Sequence, residues 1–153
     1  MLRISKLADY GTVVMVYLAK HSSVLCNARD IALHTHLNVP TVSKILKRLT
    51  GAGLLISERG VSGGYRLKRP ACSITLSEII YASEMQRGLT ECSLQPNACS
   101  LQGLCEIQGN WRLISQAIES ALDSVSLEAL AQPKLHQGDV DRVRQLASGV
   151  SRG

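Results

Sequence analysis

Apolar residues open the chain at helical spacing. Between Lys6 and Lys20, Leu7, Val14 and Leu18 recur along one face, with Tyr10, Val13 and Tyr17 beside it. Ser5 stands where an N-cap belongs. Gly11 interrupts this helix at a cost of about 1 kcal/mol against alanine, so another group is expected close against it. A second helix is predicted from about Ala28 to His34, capped by Asn27, with Ile31 and Leu33 pointing inward. The link Thr35 to Val39 leads to a third helix. Pro40 suits its first turn, Val42, Ile45, Leu46 and Leu49 make its buried stripe, and Gly51 and Gly53 end it. From Leu54 to Pro70 the pattern changes to strand, glycine-rich turn and strand, with Arg59 to Gly64 at the turn and Tyr65 and Leu67 on the return.

Beyond this hairpin the helical period resumes. Thr75-Leu76-Ser77-Glu78 has the form of a capping box, so a helix is expected from Leu76 to about Gln86, stopped by Gly88. Pro96, Asn97 and Gly103 break the next segment. From about Gly109 a long amphipathic helix carries Trp111, Ile114, Ile118, Leu122 and Val125 on one face, widened by Ala117 and Ala121. A short helix at Ser126 to Leu130 ends before Pro133. The last twenty residues are weakly periodic and read as a flexible tail.

Two short helices with a tight connection, the second polar and basic on its outer surface, form the helix-turn-helix pattern, and the hairpin directly after it is a wing. The fold class expected is mainly α with a small β-hairpin wing. Residues 1–75 form a winged helix-turn-helix domain, 76–132 a cysteine loop and a long dimerisation helix, and 133–153 the tail.

Charge sharpens this reading. The net charge is +5, but residues 1–75 hold 11 Lys/Arg against 3 Asp/Glu, or +8, and the remainder holds 6 against 9, or −3. A basic half on such a scaffold points to double-stranded DNA. Thr41, Ser43 and Lys44 are placed to reach base edges, Lys47 and Arg48 to hold phosphates, and Arg59 to enter a minor groove. Ser62, Gly63, Gly64 and Tyr65 bring the wing backbone close to the phosphate ribbon, ringed by Arg66, Lys68 and Arg69. The symmetric half-sites such proteins read imply a homodimer, with the tryptophan-led helix as its contact. With no Phe and a single Trp, the core is left to Leu, Ile, Val and Ala. No apolar run approaches the roughly 20 residues that cross a bilayer, and no signal-peptide core is present, so a cytoplasmic protein without membrane contact is expected.

Three of the five cysteines, Cys92, Cys99 and Cys105, fall within fourteen residues as C-x6-C-x5-C. Cytosolic thiols stay reduced, which favours metal binding or redox chemistry over disulfides. Structural zinc usually pairs its ligands at C-x2–4-C, a poor fit to gaps of six and five. A longer loop can instead wrap an iron–sulfur cluster, which needs four ligands. The four histidines, His21, His34, His36 and His136, lie elsewhere. The fourth ligand is left to a distant segment, a partner chain, a small molecule, Glu106 or Gln108. A nucleophilic cysteine would need a positioned base, and no His lies near this loop in sequence, which argues against an enzyme and a small-molecule substrate. A metal-free disulfide or sulfenic-acid switch is the competing use of the thiols. Cys26 and Cys72 read as small buried residues.

The wing R-G-V-S-G-G-Y, the capping box T-L-S-E-I-I, the three-cysteine loop and the tryptophan-led helix together resemble the Rrf2 family of winged-helix regulators, over residues 1 to about 132. The resemblance implies a homodimer whose DNA affinity depends on an iron–sulfur cluster, 2Fe–2S ahead of 4Fe–4S, as in the IscR and NsrR members. Cys92, Cys99 and Cys105 match the family's cluster thiolates. Gln108 stands where IscR-like members carry His, and the first cysteine gap is six where five is common in them. Asp9-Tyr10-Gly11 matches the D-Y-G of NsrR-like members, whose acid comes from the opposite subunit, so Asp9 is implied as the fourth ligand. The opening M-L-R-I-S-K-L-A-D-Y-G-T-V-V-M is most similar to the branch controlling SUF iron–sulfur assembly genes. A nitric-oxide-sensing repressor of the same family is the alternative.

Overall fold

Five of the helix starts are set by one side chain each, which satisfies N–H groups that have no partner inside the helix. A computed structural model describes residues 3–85, 89–90, 99–100 and 104–149, with side chains described up to residue 146. Ser5 accepts from the Ala8 N–H and opens α1 (Lys6–Lys20). Asn27 accepts from Arg29 and Asp30 and opens α2 (Ala28–Thr35). Asn38 accepts from Thr41 at 2.8 Å and opens α3 (Val39–Gly51), with Pro40 in the first turn. Thr75 and Glu78 exchange both bonds of the expected capping box at the start of α4 (Leu76–Glu84). The long helix α5 (Gln108–Asp123) follows Ile107 without a side-chain cap. Ser126 accepts from Ala129 to start α6 (Leu127–Ala131).

Between α3 and α4 lies the wing, β1 (Leu55–Glu58) antiparallel to β2 (Gly64–Leu67), in a register that pairs Leu55 with Leu67 and Glu58 with Gly64. A single turn of 3₁₀ helix, Ala71–Ser73, leads into α4. Cys26 adds a one-residue bridge to the sheet: its N–H donates to Tyr65 O at 3.0 Å and its carbonyl accepts from Tyr65 N at 2.9 Å.

One buried cluster holds these elements together. Val14, Met15 and Leu18 of α1 meet Ile31 and Ala32 of α2, Val42, Ile45, Leu46 and Leu49 of α3, and Leu54 and Leu55 at the wing's base. Ile74, Ile79 and Leu127 belong to the same cluster, so the core runs across residue 75 without a break. Main-chain bonds from Leu76 N to Val125 O (2.9 Å) and from Leu127 N to Ile74 O (2.8 Å) fasten the end of α5 to the start of α4.

Three local expectations are corrected. Leu33 is 72% exposed, and Ala32 takes the inward position; residues two apart on a helix lie on opposite sides, so Ile31 and Leu33 cannot share a face. α4 stops at Glu84 because Met85 is left-handed (φ 60°) and its N–H turns back to Tyr81 O; Gly88 lies outside the described residues. Residues Gln137–Gly149, read as part of the tail, form a helix, α7, that packs against α5. Val140 and Val143 of this helix are half-buried, and Leu146 is exposed.

Gly11 behaves as its position foretells. A Cβ there would run into the Oγ of Ser83 and lie 3.3 Å from its Cβ, so α1 and α4 cross at close range only because residue 11 has no side chain.

Candidate nucleic-acid interface and thiol segment

α3 offers a polar outer surface because, beyond the exposed Val39 and Pro40 of its first turn, its large apolar residues are spent on the core. With Val42, Ile45, Leu46 and Leu49 buried, Ser43, Lys44 and Lys47 project to solvent and Thr41 is half-buried beside them. Among the described residues no ion pair engages Lys44, Lys47, Arg59 or Lys68. Those four basic side chains are left available to a polyanion. Arg66 and Arg69 are spent differently: Arg66 pairs with Glu58 at 3.1 Å across the wing, and Arg69 pairs with Glu78 at 2.7 Å. Sequence charge alone did not separate these two groups.

Arg48 departs from its expected place. It is half-buried in the last turn of α3, and its guanidinium Nη1 donates to the backbone carbonyl of Ser83, near the end of α4. The wing glycines depart as well. Arg59, Gly60, Val61 and Ser62 form the exposed tip, and Gly60 takes a φ of +120°. Gly63 is hemmed in by the backbone of Glu58 and Arg59, and a Cβ on Gly64 would lie 2.8 Å from Cys26 O. Gly64 is buried and Tyr65 packs on the core. These residues shape the hairpin and admit the Cys26 segment; Arg59 to Ser62 are exposed at the tip, Gly63 and Tyr65 keep part of their surface open, and Gly64 is covered.

The thiols of the described residues differ in exposure. Cys99 and Cys105 are free and half-exposed, Cys105 standing just before α5, where its carbonyl accepts from Gln108 N at 3.3 Å. Cys92 lies outside the described residues. Cys26 is buried, and burial, reinforced by the nearby Asp30, raises its thiol pKa. Cys72 was expected to be buried and is exposed, because the 3₁₀ turn that carries it buries no residue. Asp9 is exposed in the first turn of α1. Among the described residues no three His, Cys, Asp or Glu side chains gather as a metal site. The donors present suit an iron–sulfur group: thiolates are its usual ligands, and neither Cys99 nor Cys105 is tied up in a disulfide or sealed in the core.

The leading face of α5 is open. Trp111 is 36% and Ile114 44% exposed, and Ile107 ahead of them is also exposed. Toward the other end Ile118 and Leu122 are half-buried and Val125 is buried. No helix among the described residues is long and apolar enough to cross a membrane.

The sequence profile of the Rrf2 family, described as iron-dependent transcriptional regulators, matches residues 4–133. The chain belongs to the Rrf2 family. It is a DNA-binding transcriptional regulator, and curated relatives such as NsrR and IscR are named as transcriptional regulators. The regulator NsrR of Bacillus licheniformis is 28% identical over 149 residues, 96% of this chain and 100% of that one. The regulator IscR of Xenorhabdus nematophila is 30% identical over 132 residues, 86% of this chain and 80% of that one. Among solved structures, CymR, the global cysteine regulator of B. subtilis, superposes with a TM-score of 0.66 at 30% identity, covering 86% of this chain and 97% of that one. The fold expected from the hydrophobic pattern, helices with a two-stranded wing, is the one shared with these winged-helix regulators.

Proposed function

We propose that this Rrf2 regulator binds its operator as a homodimer under the control of an iron–sulfur cluster. Cys92, Cys99 and Cys105 would hold the cluster, 2Fe–2S ahead of 4Fe–4S, with Asp9 of the partner subunit as fourth ligand. The observation that carries this reading is the pair of free, half-exposed thiols, Cys99 and Cys105, at the approach to a helix whose apolar leading face is open. Ile107, Trp111, Ile114 and Ile118 step by four, three and four residues, the spacing of a helix–helix seam. A second copy of α5 laid on that seam would remove these side chains from water.

At the DNA surface the work falls to this chain's own side chains. Lys47 and Arg59 neutralise phosphates, and Thr41, Ser43 and Lys44, early in α3, face base edges in the major groove. Arg59 at the wing tip extends toward a minor groove. When bound, the cluster supplies iron–ligand bonds that respond to cluster supply, oxidants and nitric oxide. Asp9 is the most exchangeable of the donors, since a carboxylate holds iron less firmly than a thiolate. The opening sequence favours SUF iron–sulfur assembly genes as the target; binding only beside nitric-oxide detoxification genes would move the protein to the other branch.

The test is the visible spectrum, with iron and sulfide counts, of wild type, Asp9→Ala and Cys105→Ser purified without oxygen. Charge-transfer absorption with matched iron and sulfide is expected for wild type, weakened in Asp9→Ala and lost in Cys105→Ser. Unchanged retention and operator affinity in Asp9→Ala would remove the aspartate. A colourless, iron-free wild type after reconstitution would end the cluster reading and leave a metal-free thiol switch.

A further inference from the structure

The end of α4 is held from two sides. From α1, the Ser5 N–H donates to the Glu84 carboxylate at 3.3 Å, and Gly11 lies against Ser83. From α3, the Arg48 guanidinium donates to the Ser83 carbonyl. The last four carbonyls of a helix have no partner within it, and together they carry the negative end of the helix dipole. Tyr81 O is satisfied by the Met85 N–H as the chain turns left-handed, and Ser83 O is satisfied by Arg48. Arg48 thus acts as a cationic C-cap supplied by another helix. Beyond Met85 the chain runs seven residues to Cys92.

A side chain committed in this way is poorly used as a phosphate contact. Lys44 and Lys47, on the same helix, are exposed and have no ion pair among the described residues, whereas Arg48 is half-buried. Ser83 itself is sealed from solvent, its Oγ donating to Ile79 O at 2.8 Å, so the carbonyl that receives Arg48 sits in a fixed turn.

We infer that Arg48 is a positioning residue: by capping the C-terminus of α4 it fixes the orientation of α3, and with it the register of Thr41, Ser43 and Lys44 on the operator. The inference rests on the reading of α3 as the helix that enters the major groove. A positioning role and a phosphate role leave different signatures. A lost phosphate contact weakens binding to every sequence and lowers the salt slope, by about 0.9 per contact. A lost positioning contact weakens the matched sequence alone, because backbone binding does not depend on exact register.

The experiment is fluorescence anisotropy on the full-length protein at several salt concentrations. It uses an operator recovered by selection from random duplexes and a scrambled duplex of equal length. Arg48→Gln is expected to bind the operator about tenfold more weakly, the lower end of what losing a charge-assisted hydrogen bond costs. Affinity for the scrambled duplex and the salt slope should stay at wild-type values, and amides 82–85 of the free protein should exchange faster. A parallel loss on both duplexes with a lower slope would make Arg48 a phosphate contact and overturn the proposal. A parallel loss with an unchanged slope and a lower Tm would mark a merely structural residue and overturn it equally. Arg48→Lys serves if the glutamine variant does not fold. The two duplexes are compared in the same way for Arg48→Lys: a parallel loss on both with a lower salt slope would overturn the proposal. Lys47→Ala, at the exposed lysine of α3 assigned to a phosphate, checks the premise: an unchanged slope there would sink the α3 reading and the proposal with it, whereas a lowered slope beside a phosphate signature at Arg48 would sink the proposal alone.

Discussion

Replacing Gly11 with alanine should destabilise the protein, although alanine is the better helix former. The gain in helix propensity is about 1 kcal/mol. Against it, the added methyl overlaps Ser83 Oγ and lies 3.3 Å from Ser83 Cβ, in a crossing where Ser83 has no exposure at all. Overpacking of this kind costs about 1–3 kcal/mol. Turning the hydroxyl away forfeits its 2.8 Å bond to Ile79 O, about 1 kcal/mol more. The net expectation is a loss of about 1–3 kcal/mol. Ser83→Ala alone should be nearly neutral, because the Ile79 carbonyl keeps a helical location and alanine suits the helix interior. In the double variant the hydroxyl overlap is gone and only the 3.3 Å methyl contact remains, so most of the Gly11→Ala loss should be recovered. Urea unfolding of the four proteins closes the cycle, with an expected coupling of about 1–2 kcal/mol. Strict additivity would refute the packing argument and mean that α1 and α4 do not cross there as described.

Three further outcomes follow from the same geometry. Thr75→Ala removes the capping-box acceptor and the 3.0 Å bond to Asp123, and should cost about 1–2 kcal/mol in thermal or urea unfolding; a neutral result would deny the cap its role. In the native protein Cys72 should be alkylated well before Cys26 at pH 8, since Cys72 is exposed while burial and Asp30 raise the Cys26 pKa and thin its thiolate; mass spectrometry of timed samples checks the order, and equal rates would contradict the burial of Cys26. Trp111→Glu should lower the molar mass seen by light scattering toward one chain without unfolding it, because Trp111 is 36% exposed and supports little of the chain's own core; a fully retained dimer would move the seam away from α5.

Much of the fold was legible in the chain because local chemistry decided it. Ser5, Asn27, Thr75 and Ser126 each satisfy N–H groups within three residues of themselves, so their sequence neighbourhood suffices. The stripe of α3 and the glycine-rich turn of the wing are likewise written at short range. Gly11 announced a close approach, yet only the fold could name Ser83 as the neighbour, 72 residues away in sequence. The same holds for charge. Arg48, Arg66 and Lys68 read alike as basic residues of a DNA-binding half, but Arg48 is taken by Ser83, Arg66 by Glu58, and Lys68 has no ion pair among the described residues. Gly64 reads in sequence as a turn glycine of the wing, and only the fold shows that it leaves room for the Cys26 backbone. Periodicity fixes which face of a helix is apolar. Which of its residues meets a core, a neighbouring helix or solvent depends on contacts between segments far apart in the chain, and only the tertiary structure decides that.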